Sequence, residues 1–181
     1  GEDNNQWSNG SLPDNNGPLN AIFAFWDDLN PSNEENTCSN ESEGAVYYEN
    51  FSDKTIIWFN DVVRCGSNPD YAGTFDFQII LYNNSRIDIN YREMEGYTTS
   101  ATVGIQNNDG TDAIQVIYNS NYAHDELTLS FKPVPKWINP LYDSQQLDYQ
   151  EQVSYNIEVD GQFVNNENEM CYIIVNSNST E

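Results

Sequence analysis

The chain has 181 residues, of which 29 are acidic and six are basic, so its formal net charge is −23 at pH 7. Nucleic acids and anionic membrane surfaces both attract clusters of Lys and Arg, so this composition argues against either as a partner. Hydrophobic residues (38%) and aromatic residues (13%) are still plentiful enough for a folded core. No apolar run approaches the ~18 residues that a membrane helix needs, so no membrane insertion is expected.

The first clear element is the apolar run Ala21–Trp26, with Asn-Gly-Pro before it and Asn-Pro after it. It is too short for a good helix and rich in aromatics, so we predict a central sandwich strand that is buried on both faces. Residues 1–18 carry many Asn, Gly and Pro residues and are predicted to be loop. Their abrupt start suggests a piece of a longer precursor. Residues 30–44 are predicted to form a polar loop on the rim.

Short stretches in which apolar and polar residues alternate then recur at regular spacing. They predict strands at residues 45–50, 54–59, 74–82, 86–91, 100–106, 113–118 and 126–132. Phe75, Phe77, Ile79 and Leu81 lie on one face of the clearest strand, which predicts that this face belongs to the core. Gly104 predicts a bulge or a close backbone approach. Short strands without helical periodicity predict an all-β, antiparallel β-sandwich.

A stiff Pro-Val-Pro segment follows the last of these strands. We therefore divide the chain into a sandwich at residues 1–132, a linker at 133–136 and a small second unit at 137–181. A unit of roughly 45 residues falls below the ~70 residues at which a lone core becomes dependable. Either it docks on the first domain, or strands outside this chain complete it, or another chain supplies them by strand addition.

The three cysteines differ in their surroundings. Cys38 and Cys65 lie in polar loops, and a disulfide between them is predicted, which implies an oxidising, extracellular setting. Cys171 lies in an apolar strand pattern and is predicted to be a buried free thiol.

Four motifs, in this order along the chain, resemble the nidogen-type (NIDO-like) β-sandwich. They are Phe-Trp-Asp-Asp-Leu-Asn-Pro at 25–31, Gly-Ala-Val-Tyr-Tyr at 44–48, Thr-Phe-Asp-Phe-Gln-Ile-Ile-Leu-Tyr at 74–82, and Ala-Thr-Val-Gly-Ile-Gln-Asn-Asn-Asp-Gly-Thr-Asp at 101–112. The resemblance covers residues 7–132 and is closest to the version in secreted or surface-anchored bacterial proteins. It implies a jelly-roll-like extracellular accessory or adhesive module without shared catalytic residues. The segment after Trp137 is similar to part of an immunoglobulin-like repeat.

An enzymatic function is not expected. His124 is the only histidine, and the chain has no Gly-x-Ser-x-Gly elbow, no His-Glu-x-x-His motif and no Gly-rich phosphate loop. A single histidine beside a turn predicts a surface residue.

Calcium is the cofactor that the oxygen-rich stretches favour, because hard cations bind several carboxylate, amide and backbone oxygens at once. The candidate ligands are Asp27, Asp28 and Asn30 in one stretch, and Asn107, Asp109 and Asp112, with Thr111, in another. The alternative is that Asp27 and Asp28 cap strand ends and accept backbone hydrogen bonds.

Three tyrosines in predicted loops, Tyr71, Tyr97 and Tyr122, are candidates for stacking on sugar rings, although loop tyrosines also pack on their own domain. The sequence therefore favours a non-catalytic structural or adhesive module of a secreted or surface protein. Such a module joins protein partners, or assembles into a fibre, through the incomplete C-terminal unit. The alternative is a carbohydrate-binding accessory module of a secreted hydrolase or protease.

Overall fold

A computed structural model describes residues 7–31, 44–65, 68–134 and 157–158. These residues form nine strands, which are β1 (Ala21–Trp26), β2 (Leu29–Asn30), β3 (Ala45–Asn50), β4 (Lys54–Arg64), β5 (Gly73–Tyr82), β6 (Ile87–Gly96), β7 (Thr102–Gln106), β8 (Ala113–Tyr118) and β9 (Thr128–Phe131). A 3-10 turn, Pro69–Tyr71, precedes β5. The predicted all-β class is confirmed. Within these ranges no helix has the length and apolar character needed to cross a membrane.

The strands form two antiparallel sheets that pack as a sandwich. Sheet A has the order β1-β7-β8, and sheet B has the order β2-β4-β5-β6-β9, with β3 also paired to β4. The long β4 strand accommodates both neighbours on one side, because β3 pairs with its first half and β2 with its last residues. The β7–β8 register shifts between Val103 and Gly104, where a bulge or a close approach is predicted, and the additional residue is Val116 of β8.

The core lies between the sheets and is built largely from aromatic rings. The Phe25 ring of sheet A lies 4.6 Å from Phe75 and 6.4 Å from Phe77 of sheet B, measured between ring centroids. Alternation along the β5–β6 hairpin produces this arrangement, as predicted. Tyr91 of β6 also donates a hydrogen bond of 2.6 Å to the Ala24 carbonyl of β1, and burial raises the pKa of its phenol. The two sheets are therefore joined by one buried polar contact as well as by apolar packing.

The prediction that β1 is a central strand is wrong for the described residues. β1 lies at one edge of sheet A and pairs only with β7. It is nevertheless buried on both faces, because Ala24 and Phe25 join the core while Phe23 stacks on Trp26 at 4.8 Å. The apolar run therefore predicted the burial of β1 correctly. The burial comes from the layers that cover the two faces of the strand, and not from a position between two neighbouring strands.

The loop that precedes β1 covers the outer face of sheet A. Leu12 is buried there, and its backbone N–H donates to Gln115 Oε1 at 2.6 Å. Buried Gln106 donates to the Asp14 carbonyl at 2.9 Å, and buried Thr102 donates to the Gly10 carbonyl at 2.7 Å. These side chains can be buried because the loop backbone satisfies their hydrogen bonds.

The chain divides into two compact units, residues 1–132 and residues 133–181. Of the second unit, only residues 133–134 and 157–158 are described. The partial immunoglobulin-like unit and its predicted strands at residues 152–159 and 169–175 lie otherwise outside the described residues and stay a prediction.

Candidate functional site

Asp27, the first predicted calcium ligand, is held by the chain's own donors. Its Oδ2 lies 2.8 Å from Nε of Arg64 and also accepts a hydrogen bond from the Ser100 hydroxyl. Its Oδ1 accepts a 2.8 Å hydrogen bond from the Asp28 backbone N–H. Both carboxylate oxygens are thus engaged, and the side chain is only 5% exposed.

Arg64 connects this carboxylate to two of the predicted sugar-binding tyrosines. Its guanidinium lies 5.4 Å from the Tyr97 ring centroid, and its Nη1 donates to the Tyr71 carbonyl at 3.2 Å. The Tyr71 and Tyr97 rings meet edge to face at 4.8 Å. We name Asp27, Arg64, Tyr71, Tyr97 and Ser100 the Arg64 cluster. Its geometry is that of a brace between the end of β1, the end of β4 and the loop that follows β6.

The other two residues of the first calcium stretch lie beside this cluster. Burial, followed by the charge of Asp27, raises the pKa of the Asp28 carboxyl, and Arg64 opposes this effect. Asn30 pairs with Val63 in the β2–β4 ladder. In the ranges that the structure covers, no three His, Cys, Asp or Glu side chains come together in a way that could hold a metal ion.

The second calcium stretch is the turn between β7 and β8, which holds itself together. Asn107 Oδ1 accepts hydrogen bonds from the backbone N–H groups of Thr111 and Asp112 at 3.1 and 3.2 Å. Asp109 Oδ1 accepts from the Thr111 hydroxyl at 2.6 Å, and this bond lowers the pKa of the Asp109 carboxyl.

The two stretches lie at opposite ends of β1. Ala21, the first residue of β1, pairs with Gln106 just before the turn, whereas Asp27 follows the last residue of β1. Six strand residues separate them by roughly 20 Å, so they do not form one site. Calcium binding at either stretch stays a prediction.

Tyr122 lies close to the Arg64 cluster without joining it. Tyr122 is 49% exposed, and the neighbouring Asn121 accepts a 3.0 Å hydrogen bond from the Thr98 hydroxyl, next to Tyr97. The three predicted tyrosines are therefore on neighbouring loops, but two of the rings pack on each other. Sugar stacking by these tyrosines stays a prediction.

The cysteine and histidine predictions have separate outcomes. Cys65 is disulfide-bonded, while Cys38 and Cys171 lie outside the described residues, so the pairing with Cys38 stays a prediction. His124 is exposed, as predicted, and its Nδ1 lies 2.8 Å from the Asp125 carbonyl oxygen.

The outer face of sheet B carries a row of side chains that sequence reasoning missed. The strand register places one residue from each of five neighbouring strands side by side, namely Tyr47, Trp58, Gln78, Asn90 and Thr128. We name this set the cross-strand row. The signal for it in the sequence is weak, because its members are spread from β3 to β9 and become neighbours only when the strands pair.

A buried carboxylate supports the cross-strand row from one side. Asp76 is 2% exposed, and its Oδ1 accepts a 3.1 Å hydrogen bond from the Trp58 indole N–H. Its Oδ2 lies 2.8 Å from Nη2 of Arg92, but the two groups are not aligned for a hydrogen bond. Asp76 also lines a polar cavity of about 210 Å³ together with Asp61, Thr74, Glu93 and Glu95.

A second surface feature follows the edge of β1 that lies opposite β7. An apolar cavity of about 230 Å³ is lined by β1 itself and by four residues of sheet B, which are Leu29, Phe59, Phe77 and Ile79. Small-molecule sites usually exceed ~300 Å³, so this cavity suits one or two apolar side chains better than a whole ligand. It adjoins the edge at which β1 has no strand neighbour among the described residues.

These features define a β-sandwich domain in which, among the described residues, β1 pairs on one side only and the outer face of sheet B carries partly exposed side chains. A family model described as NIDO related matches residues 1–147, and the chain belongs to this family. The predicted NIDO-like resemblance is thereby confirmed. Domains of this family are a non-enzymatic type of module and are typically extracellular. No match was found among curated proteins or among solved structures.

Proposed function

We propose that the chain is a non-catalytic adhesive module of an extracellular protein, and that it joins a larger assembly by accepting a β-strand at the edge of β1 that lies opposite β7. The observation that carries this proposal is the apolar cavity beside that edge. Strand addition obtains affinity from backbone hydrogen bonds and specificity from pockets that receive alternate side chains. The β1 edge combines both requirements.

The backbone supports the first requirement. Only one edge of β1 pairs within the described residues, with β7, and an unpaired edge offers N–H and C=O groups to another strand. β8 forms the opposite edge of sheet A and carries exposed Ile114 and Tyr118, but the apolar cavity does not lie there. The β1 edge is therefore the better acceptor.

Charge favours a partner other than a second copy of this chain. The acceptor carries a formal charge of −23, so two copies repel each other at low ionic strength, whereas a strand with basic residues is attracted. The donor that fits best is an extended segment of another protein in which apolar residues alternate with Lys or Arg. Its apolar side chains enter the cavity and its basic side chains face the acidic surface.

A peptide titration tests this proposal. The probe is a synthetic peptide of about six residues, the usual strand length, in which Val and Lys alternate. We expect it to slow amide hydrogen exchange in Ala21–Trp26. A peptide of the same composition with a central proline added is expected to have no effect, because proline cannot continue a ladder.

Two matched variants localise the effect. Ala21 and Ala113 are both half-buried and both pair with Gln106, from opposite sides. Ala21→Phe fills the cavity side and is expected to abolish the protection, whereas Ala113→Phe is expected to keep it. Absence of protection in the unmodified chain, protection at β8 instead, or protection that survives Ala21→Phe each contradicts the proposal.

A further inference from the structure

The cross-strand row is an ordered surface that the proposed strand addition does not use. Its five residues follow one line across sheet B, since Tyr47 pairs with Trp58, Trp58 with Gln78, Gln78 with Asn90, and Asn90 with Thr128. Neighbouring strands lie about 4.8 Å apart, so the row extends for roughly 19 Å. One side chain per strand gives it a regular repeat.

One end of the row is aromatic and is held in place. The Tyr47 and Trp58 rings lie 5.6 Å apart with an interplanar angle of 40°, and Tyr47 is 54% exposed. The hydrogen bond from the Trp58 indole to nearly buried Asp76 fixes the orientation of the larger ring. Rings fixed in this way bind a partner at little cost in side-chain entropy.

The other end of the row offers amide groups. Gln78 is half-buried, and its side-chain amide makes no hydrogen bond within the described part of the chain. Asn90 Oδ1 accepts a 2.9 Å hydrogen bond from the Thr128 hydroxyl, which leaves the Asn90 amide N–H groups available. An amide offers both donors and acceptors in one group. The row therefore continues from apolar rings into neutral polar groups.

From this arrangement we infer that the cross-strand row binds a linear glycan that lacks carboxylate and sulfate groups. A pyranose ring has an apolar face that packs on an aromatic ring and hydroxyls that exchange hydrogen bonds with amides. The repeat of the row matches the length of one pyranose ring in an extended chain. Successive sugars can thus meet Tyr47 and Trp58 first and then Gln78 and Asn90.

Charge decides which glycans fit. The row itself is uncharged, but Asp61, Glu93 and Glu95 line the polar cavity beside it and Arg92 is the cation nearest to Asp76. The formal charge of the chain is −23. A glycan with uronic acid or sulfate groups is repelled by this surface, whereas a neutral glycan is not.

The test is a calorimetric titration of the whole chain with cellohexaose, chitohexaose and an oligogalacturonate of similar length. We expect binding of at least one of the two neutral oligosaccharides and none of the acidic one. Trp58→Ala is expected to weaken binding by about tenfold or more, and Tyr47→Ala by about fivefold, as for aromatic contacts at the centre and the rim of a binding surface. Trp7→Ala is the matched control, because Trp7 is 70% exposed and lies outside the row.

Tyr47→Ala also guards against misfolding, since an exposed side chain can be removed without loss of packing. Failure of both neutral oligosaccharides to bind overturns the inference. So does binding that both Tyr47→Ala and Trp58→Ala leave intact, or equal affinity for the oligogalacturonate. The Val/Lys peptide tests strand addition separately from glycan binding. It is expected to bind at the β1 edge of sheet A, whereas the cross-strand row lies on sheet B.

Discussion

The outer faces of the two sheets carry similar polar side chains that are used differently. On sheet A, the Thr102 hydroxyl and the Gln106 amide are buried beneath the N-terminal loop and hydrogen-bonded to its backbone. On sheet B, Gln78 and Asn90 lie half-buried with hydrogen-bonding groups to spare. Polar residues on a sheet face therefore do not indicate a binding surface by themselves. What matters is whether the chain satisfies them internally.

Two ion pairs repeat this contrast. Arg64 and Arg92 each lie 2.8 Å from an aspartate that is nearly buried, Asp27 and Asp76 respectively. The Arg64 side chain is 16% exposed and is also bound to Tyr71, whereas the Arg92 side chain is 62% exposed. Both members of the Arg64–Asp27 pair are largely buried in the sandwich, whereas in the Arg92–Asp76 pair the cation is exposed and screened by solvent.

Replacing each arginine in turn tests whether the two ion pairs contribute differently to stability. Arg64→Met is expected to lower the free energy of unfolding by about 3 kcal/mol, because Asp27 stays buried as an unpaired charge. Arg92→Met also leaves Asp76 without its cation, but it is expected to cost less, about 1 kcal/mol, because Arg92 is 62% exposed and the polar cavity beside Asp76 can admit water to the carboxylate. Urea denaturation of both variants measures the difference, and equal losses would show that the two pairs are equivalent.

The contrast between the two faces predicts a smaller difference. Leu12, in the loop that covers sheet A, is 9% exposed, and Tyr47 on sheet B is 54% exposed. Leu12→Ala is expected to destabilise the domain by about 2 kcal/mol, because the substitution removes buried apolar atoms and leaves a cavity. Tyr47→Ala is expected to change the stability by no more than about 0.5 kcal/mol. Thermal or urea unfolding that is unchanged by Leu12→Ala would mean that the loop is not part of the folded unit.

The strands could be predicted from the sequence where one face is core and the other is solvent. Phe75, Phe77 and Ile79 alternate with polar neighbours, so the hairpin of β5 and β6 follows from the pattern alone. The edge position of β1 could not be predicted, because Ala21–Trp26 is covered on its outer face by a loop and, in the described part of the chain, has β7 as its one strand neighbour. The hydrophobic pattern of a strand predicts that the strand is buried, but it does not identify which element of the fold covers it.

The surface sites depend on contacts between distant residues. Asp27 and Arg64 are 37 positions apart, and the cross-strand row joins β3 to β9. Neither follows from local spacing, because strand pairing creates both. The oxygen-rich turn at Asn107 illustrates the opposite difficulty. Its side chains have the composition of a cation site, yet their oxygens accept hydrogen bonds from the turn itself, and composition alone does not separate the two roles.

A slight change in stability is expected at Asp28, the carboxylate that adjoins the Arg64 cluster. Its folded-state pKa is raised above the ordinary value of 3.8, first by burial and then by the charge of Asp27. The folded chain therefore holds this proton more tightly than the unfolded chain does between the two pKa values. Over that pH window, ionisation of Asp28 lowers the stability as the pH rises. Asp28→Asn is accordingly expected to be slightly more stable than the unmodified chain at neutral pH, and the difference is expected to vanish in acid.

Asp109→Asn is the control with the opposite sign. Hydrogen bonds from Thr111 lower the folded-state pKa of Asp109, so its contribution to stability is present above the unfolded-state pKa and is lost as the pH falls through the folded-state pKa. Asp109→Asn should thus reduce stability at neutral pH. Unfolding measured from neutral to acidic pH gives both slopes, together with the two pKa values from carboxyl NMR shifts. If the Asp28→Asn variant is less stable at neutral pH, Arg64 stabilises the Asp28 carboxylate more than burial and the charge of Asp27 destabilise it. The Arg64 cluster would then bind two carboxylates, Asp27 and Asp28, instead of one.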